Sequence, residues 1–187
     1  MCESKQWVER MAKKLTLWER LSQQFFAMPV FTQMWAKRTA RRTEQIVDLE
    51  GAIPFAPFRK QLAECRVALI TTAGIHLRNQ TPYDMENPDG DPTYREIPTN
   101  VDPEQITITH KYYDHTDADV DLNVVFPLVH FRDLVAKQVI GSLAPRHFGF
   151  MGHIDQALIN VLNNQTAPEV AAKLRADQVD IAFLTPA

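Results

Sequence analysis

Apolar residues in the first third of the chain recur at helical steps. Trp7, Met11, Leu15, Trp18, Leu21 and Phe25 fall three or four residues apart, while Lys13, Lys14, Glu19 and Arg20 lie largely outside that stripe. This spacing predicts a helix with one apolar face. Pro29 interrupts it, and a second helix is expected to carry Val30, Met34 and the basic residues Lys37, Arg38, Arg41 and Arg42 to about Val47. Gly51, Pro54 and Pro57 mark a linker, and Phe58 to Glu64 reads as a short helix. The period then changes. Arg66 to Thr72 is a continuous β-favouring run ending in Ala73-Gly74, the pattern of a strand buried on both faces.

From His76 to Pro103 the chain is polar and rich in turn signals, and a stretch of that length reads as a lid or interface loop beside the first strand's end. Pro127 is expected to open a helix reaching about Lys137, with Leu128, Phe131, Leu134 and Val135 inward. Val139 to Leu143 reads as a second buried turn or strand, followed by helices over about Ile154 to Asn163 and Pro168 to Ala176. Val179 to Ala187 closes the sequence as a strand of the buried type. Buried strands alternating with helices predict a three-layer α/β domain with a mostly parallel sheet over residues 51–187, preceded by a helical N-terminal extension over residues 1–50.

Composition narrows the partners. The apolar fraction of 45% and charged fraction of 23% are those of a globular protein, and 187 residues suffice for one core. A net charge of -3 gives no reason to expect nucleic acid or an anionic membrane as partner. The four cations between Lys37 and Arg42 read as a solvated helix face. No apolar run approaches the roughly 18 to 20 residues that span a bilayer, and the first residues do not lead into a signal-peptide core, so a cytoplasmic protein is expected. Cys2 and Cys65 are the two cysteines, too few for a disulfide framework or an all-cysteine zinc site.

The chemistry concentrates in Ile106 to Asn123. It starts as an alternating strand and passes at His110 into a run with His115, Asp114, Asp117, Asp119 and Asp121, and with Tyr112 and Tyr113 between. Carboxylates so close repel one another, and a chain tolerates that when the segment is solvated or when a ligand or cation requires it. The acids of the preceding loop do not form a calcium site: counted from Asp84, Gly90 falls at the seventh position, where the calcium loop needs its glycine at the sixth. Glycines in Ala144 to His153 allow close backbone approach, and Arg146 and His147 are candidates to meet an anion.

Four ordered motifs together carry a resemblance: Val67 to His76; Tyr94-Arg95-Glu96-Ile97-Pro98; Tyr113 to Asn123 with Val125-Phe126-Pro127; and Ile140 to Pro145 with Phe150-Met151-Gly152. They resemble the selenoprotein B subunits of the glycine, sarcosine, betaine and D-proline reductase family, over about residues 66–187. The resemblance implies reductive cleavage of a carbon–nitrogen bond in an amino acid or a methylated relative, within a complex of several subunits. It also implies a selenocysteine or cysteine as attacking residue just after a final strand like Val179 to Thr185. Since selenocysteine is encoded by a codon otherwise read as stop, the expectation is that the attacking residue would follow Ala187 and that the domain continues beyond it. Val124 stands where some relatives carry cysteine, and Val129 and His130 where they carry an acid and a base, so the substrate stays open.

A selenolate or thiolate attacking carbon needs groups for the substrate's nitrogen and carboxylate, and a proton for the leaving amine. His110 and His115 are the candidate proton donors. Asp114, Asp117 and Asp119 are candidates for the nitrogen; Gly74, His76, Asn123, Arg146 and His147 complete the expected substrate-binding set. Asn123 and Asp121 equally suit capping of the turn into the Pro127 helix. The partners expected are an amino-acid-like small molecule, other reductase subunits or a thiol reductant, and an oligomeric assembly; no cofactor or metal is assigned. Two alternatives stand beside this reading. One is a non-catalytic binding or scaffold subunit. The other is a metal-dependent hydrolase using His110, Asp114 and His115, although Tyr112 occupies the place a second metal-binding histidine would need.

Overall fold

The computed structural model describes residues 56–187, together with Gln33, Met34 and Lys37, which are helical. The chain divides into two units, Met1–Pro57 and Phe58–Ala187. The apolar stripe from Trp7 to Phe25, the course of the second helix and the linker at Gly51 and Pro54 lie outside the described residues. The second unit is an α/β fold with a mixed, mostly parallel sheet.

Strand β1 (Arg66–Thr71) is its axis. The backbone groups of Arg66 and Thr72 bond to Asp180 and Thr185, so one edge of β1 is taken by β7 (Ile181–Thr185), parallel from Val67↔Ile181 to Thr71↔Thr185. The opposite edge is shared by two short parallel strands in succession. β5 (Ser142–Leu143) pairs with Arg66 and Val67, and β6 (Arg146–Phe150) pairs with Ile70 and Thr71. Ala144-Pro145 makes the jog between them. β3 (Tyr94–Pro98) closes the far side of β6 and runs antiparallel to it. β2 (Ile75–Leu77) and β4 (Ile106–Ile108) form a separate antiparallel pair.

Alternation along β1 and β6 divides the core between the two faces. Leu69 joins Ile75, Ile97, Phe126 and Leu128 on one face, where α2 (Leu128–Ala136) covers the sheet. Ile70, Phe148 and Phe150 meet Val170 and Leu174 of α4 (Ala167–Ala176) on the other. Helices on both faces give the expected three-layer arrangement. A four-residue helix, α3 (Leu158–Val161), runs into α4 through a π-helical turn, Leu162–Thr166. The two helices expected in this region are therefore continuous. Pro168 has no N–H to give to the preceding turn, and the wider π turn lies just ahead of it.

Two segments carry more structure than their polarity suggests. The polar stretch His76–Pro103 contains β3, and it is pinned from within by Tyr83, whose buried hydroxyl donates to the Gly149 carbonyl at 2.7 Å while Arg95 stacks over its ring at 4.4 Å. The segment with Arg146 and His147 forms strand β6, inside the sheet, with Phe148 fully buried.

Candidate functional site at the carboxyl edge of the sheet

In open α/β sheets, ligands sit beyond the carboxyl ends of the parallel strands. Three such ends meet here: Thr72 to Gly74 after β1, Met151 to His153 after β6, and Pro186-Ala187 after β7. The Ala187 N–H donates to Thr72 Oγ1 at 3.1 Å, the Thr72 N–H to the Thr185 carbonyl at 3.2 Å, and Ala73 bridges Met151. Gly74 turns the chain with φ of 70°, and a Cβ there would lie 2.5 Å from the Thr109 carbonyl oxygen. Its N–H donates to the Phe150 carbonyl and its own carbonyl accepts from the Thr109 N–H, both at 2.9 Å. This close approach brings the segment after β4 over the strand ends.

His110 is the first residue across. Its Nδ1 accepts the Tyr112 N–H at 3.0 Å, so in the neutral ring the proton sits on Nε2. That Nε2 is buried and has no hydrogen-bond partner. Tyr113 and Tyr112 hold the ring edge-on, with centroids at 4.7 and 6.0 Å. Burial, and secondarily the neighbouring His153 and His115, lowers the His110 pKa to about 4, so the ring is neutral at physiological pH. The Tyr113 hydroxyl donates to the Ala73 carbonyl at 3.1 Å, and burial pushes its pKa upward. Across the edge, a Cβ on Gly152 would come within 2.9 Å of the Thr72 carbonyl oxygen and 3.5 Å of both His110 Nε2 and the Ala187 backbone oxygen. His153 lies against the Tyr112 ring at 4.3 Å and its Nε2 donates to the Pro88 carbonyl at 2.8 Å.

The acidic run after His110 is organised by local turns. Asp114 Oδ1 accepts from the Thr116 N–H and hydroxyl at the start of α1 (Thr116–Val120), which holds its carboxyl below the ordinary value. His115 Nδ1 and Asp119 Oδ2 are 2.8 Å apart, one helical turn from each other. Asp117 faces solvent. Asp121 Oδ1 accepts from the Asn123 N–H and Nδ2, and Asn123 Oδ1 accepts the Val129 N–H near the start of α2, the capping arrangement that short polar side chains favour. Solvent exposure thus relieves much of the carboxylate repulsion.

The remaining expected substrate-binding residues are placed elsewhere or are already engaged. Arg146 stands at the amino end of β6 and makes a forked pair with Asp177, at 2.6 and 2.9 Å, plus a bond to Glu96 at 3.1 Å. His147 is fully buried; its Nδ1 accepts the Leu69 N–H at 3.0 Å and its Nε2 donates to Thr99 Oγ1 at 2.7 Å, whose hydroxyl in turn donates to the Ala144 carbonyl. His76 is buried beneath the edge, with Nδ1 donating to the Leu77 carbonyl and Nε2 accepting from the Thr109 hydroxyl, both at 2.8 Å. Cys65 is buried at the amino end of β1, the opposite edge from His110. Among the described residues, no three or more His, Cys, Asp or Glu side chains converge as a metal site.

Thr72, Tyr113 and Gly152 join the site only in three dimensions. Their sequence signal was the turn Thr-Thr-Ala-Gly after a buried strand, the tyrosines embedded in the acidic run, and a glycine after Phe150-Met151.

Comparison with known proteins agrees with the motifs on which this edge is built. The family described as glycine/sarcosine/betaine reductase selenoprotein B matches residues 26–187, reaching well into the N-terminal segment that the motifs alone left outside. A D-proline reductase subunit gamma from Acetoanaerobium sticklandii is 32% identical over 131 residues, 70% of this chain and 52% of that protein. The chain therefore spans about half the length of this curated relative. No solved structure matches it. Among the described residues no helix is long and apolar enough to cross a membrane. With strand turns, acidic run and glycine-bearing strand all falling within the matched region, the chain belongs to the glycine/sarcosine/betaine reductase selenoprotein B family of reductase subunits.

Proposed function

We propose that this chain forms the substrate-holding part of a reductase that cleaves a carbon–nitrogen bond in a small amino acid, working with other subunits and a thiol reductant. The convergence of three parallel strand ends with His110 and Tyr113 carries this reading. A selenolate or thiolate attacks the carbon bearing the nitrogen and forms a carbon–selenium or carbon–sulfur bond. The carbon–nitrogen bond breaks, and its electron pair leaves with the nitrogen, which takes up a proton. One sulfur of a dithiol then attacks the selenium or sulfur, the released carbon takes a proton, and the second sulfur closes a disulfide and frees the selenolate or thiolate. His115, held by Asp119 in contact with solvent, is the assigned proton donor. Cys65 is buried at the amino end of β1, away from this edge, which speaks against it as the attacking atom and keeps the scaffold reading as the second one.

Glycine, sarcosine, betaine and D-proline, the molecules named by the family and the relative, share a carboxylate next to the carbon that bears nitrogen. The nitrogen substituents differ. A common site must therefore recognise the carboxylate and leave the nitrogen end adjustable. The test is to assemble the chain with its partner subunits, supply a dithiol and offer each of the four compounds. One compound is expected to be consumed with one dithiol oxidised per turnover. Consumption of none by an intact complex rejects the reading.

A further inference from the structure

We propose that the Nε2–H of His110 is the hydrogen-bond donor that seats the substrate carboxylate, where the strand ends meet beside Gly152. The inference rests on the reductase reading. It deepens that reading by naming the group that meets the carboxylate.

A buried N–H without an acceptor is costly to keep, so a fold tends to retain one only where a ligand completes it. His110 is such a group. The Tyr112 N–H fixes the tautomer by occupying Nδ1, and two tyrosine rings fix the orientation. Several other donors near this edge are already engaged. The Gly74 N–H goes to Phe150, the Tyr113 hydroxyl to Ala73, the Ala187 N–H to Thr72 and the His153 ring to Pro88. Arg146, the cation the sequence offers for a carboxylate, is held by Asp177 and Glu96 at the amino end of its strand.

Gly152 lets the strand ends close up beside this N–H: a Cβ there would press on the Thr72 carbonyl oxygen at 2.9 Å and stand 3.5 Å from Nε2. The Thr72 carbonyl and the Ala187 backbone oxygen face the same point and accept only, so they suit an N–H of the substrate rather than its carboxylate. A small amino acid carries both kinds of group within one molecule. The charged or titratable groups around the ring are His153 and His115, with Tyr112 and Tyr113 against it. A neutral ring holds an anion through hydrogen bonding, so the seat needs no protonated histidine.

The experiment uses the full chain labelled with 15N-histidine, titrated with D-proline, glycine, sarcosine and betaine, and in parallel with pyrrolidine, which lacks the carboxyl group. A shift of the His110 Nε2–H resonance with at least one carboxylate compound and none with pyrrolidine is expected. His110→Phe should weaken binding of that compound about tenfold or more, and His110→Gln, which keeps a donor, about threefold or less. Affinity for pyrrolidine should be the same in all three proteins. An unmoved His110 resonance in the presence of a bound carboxylate compound overturns the proposal, as does equal loss of acid and pyrrolidine binding in His110→Phe. The labelled wild-type protein decides the matter even where the phenylalanine variant fails to fold. A carboxylate-dependent shift in a protein whose assembled complex consumes none of the four compounds would reject the reductase reading and leave the carboxylate seat standing.

Discussion

His147, fully buried, and His110, partly buried, are both held down to a pKa of about 4, with desolvation the larger cause in each, yet they do opposite things. Both ring nitrogens of His147 are satisfied; it acts as a backbone surrogate for Leu69. His110 keeps one nitrogen unmatched. Replacing His147 with leucine strands the Leu69 N–H in the core, with an expected loss of about 2 kcal/mol or more in denaturant unfolding. The pH dependence has a definite sign. An unfolded histidine takes a proton near pH 6.5 and the folded ones resist until about 4, so the unfolded state binds more protons in between. Stability is therefore full above about pH 6.5 and falls as pH drops toward 4, by on the order of 3 kcal/mol for His147 alone. Asp177 and Glu96, held below their ordinary values, lose their contribution only at lower pH. The His147→Leu protein should show a flatter limb between pH 6.5 and 4; an unchanged limb would assign the loss to other groups. At Gly74, alanine must displace the Thr109 carbonyl and with it His110. Gly74→Ala is expected to lower substrate affinity as well as melting temperature, measured by calorimetry with and without ligand.

Among the elements, β5 and β6 show how a broken strand is made whole. The jog at Ala144-Pro145 leaves a gap in the ladder along β1, and the His147 ring fills it. The start of β6 is tied to the end of α4 by Arg146 and Asp177, with Lys173 joining at Glu96. The Arg146 side chain is about a third exposed, so the pair's share of stability is modest. Arg146→Met is expected to reduce stability by about 1 kcal/mol and leave affinity for carboxylate compounds unchanged. A fall in affinity without a fall in stability would return Arg146 to the substrate site. α1 is short and exposed, and its one turn sets His115 against Asp119.

At the scale of the molecule, Phe58–Ala187 has its own two-faced core and its own candidate site. A protein lacking residues 1–57 is expected to unfold cooperatively and to retain the stability limb between pH 6.5 and 4, as read by tryptophan-independent circular dichroism. Non-cooperative melting would show that the first unit completes this core. Leu184, 66% exposed on β7, and Val120, 86% exposed on α1, are large apolar side chains left at the surface of this unit.

The order of chemical groups along the chain was enough to find the family and the busiest segment, because motifs such as Thr72-Ala73-Gly74 and Tyr113 to Asn123 are local strings. The run Arg66 to Thr72 was legible as a buried strand for the same reason: its apolar residues are contiguous. β3 was hidden because Tyr94, Arg95 and Glu96 are half-exposed and polar, and its pairing partner lies some fifty residues away. Local strings could not show that Arg146 and His147 are engaged at the far end of a strand, since Asp177, Glu96 and Leu69 are distant in sequence. Nor could they show which of two similar histidines would be left with an open N–H. That depends on the backbone amide of Tyr112, the turn at Gly74 and the missing side chain of Gly152 meeting in one place, a result of tertiary packing alone.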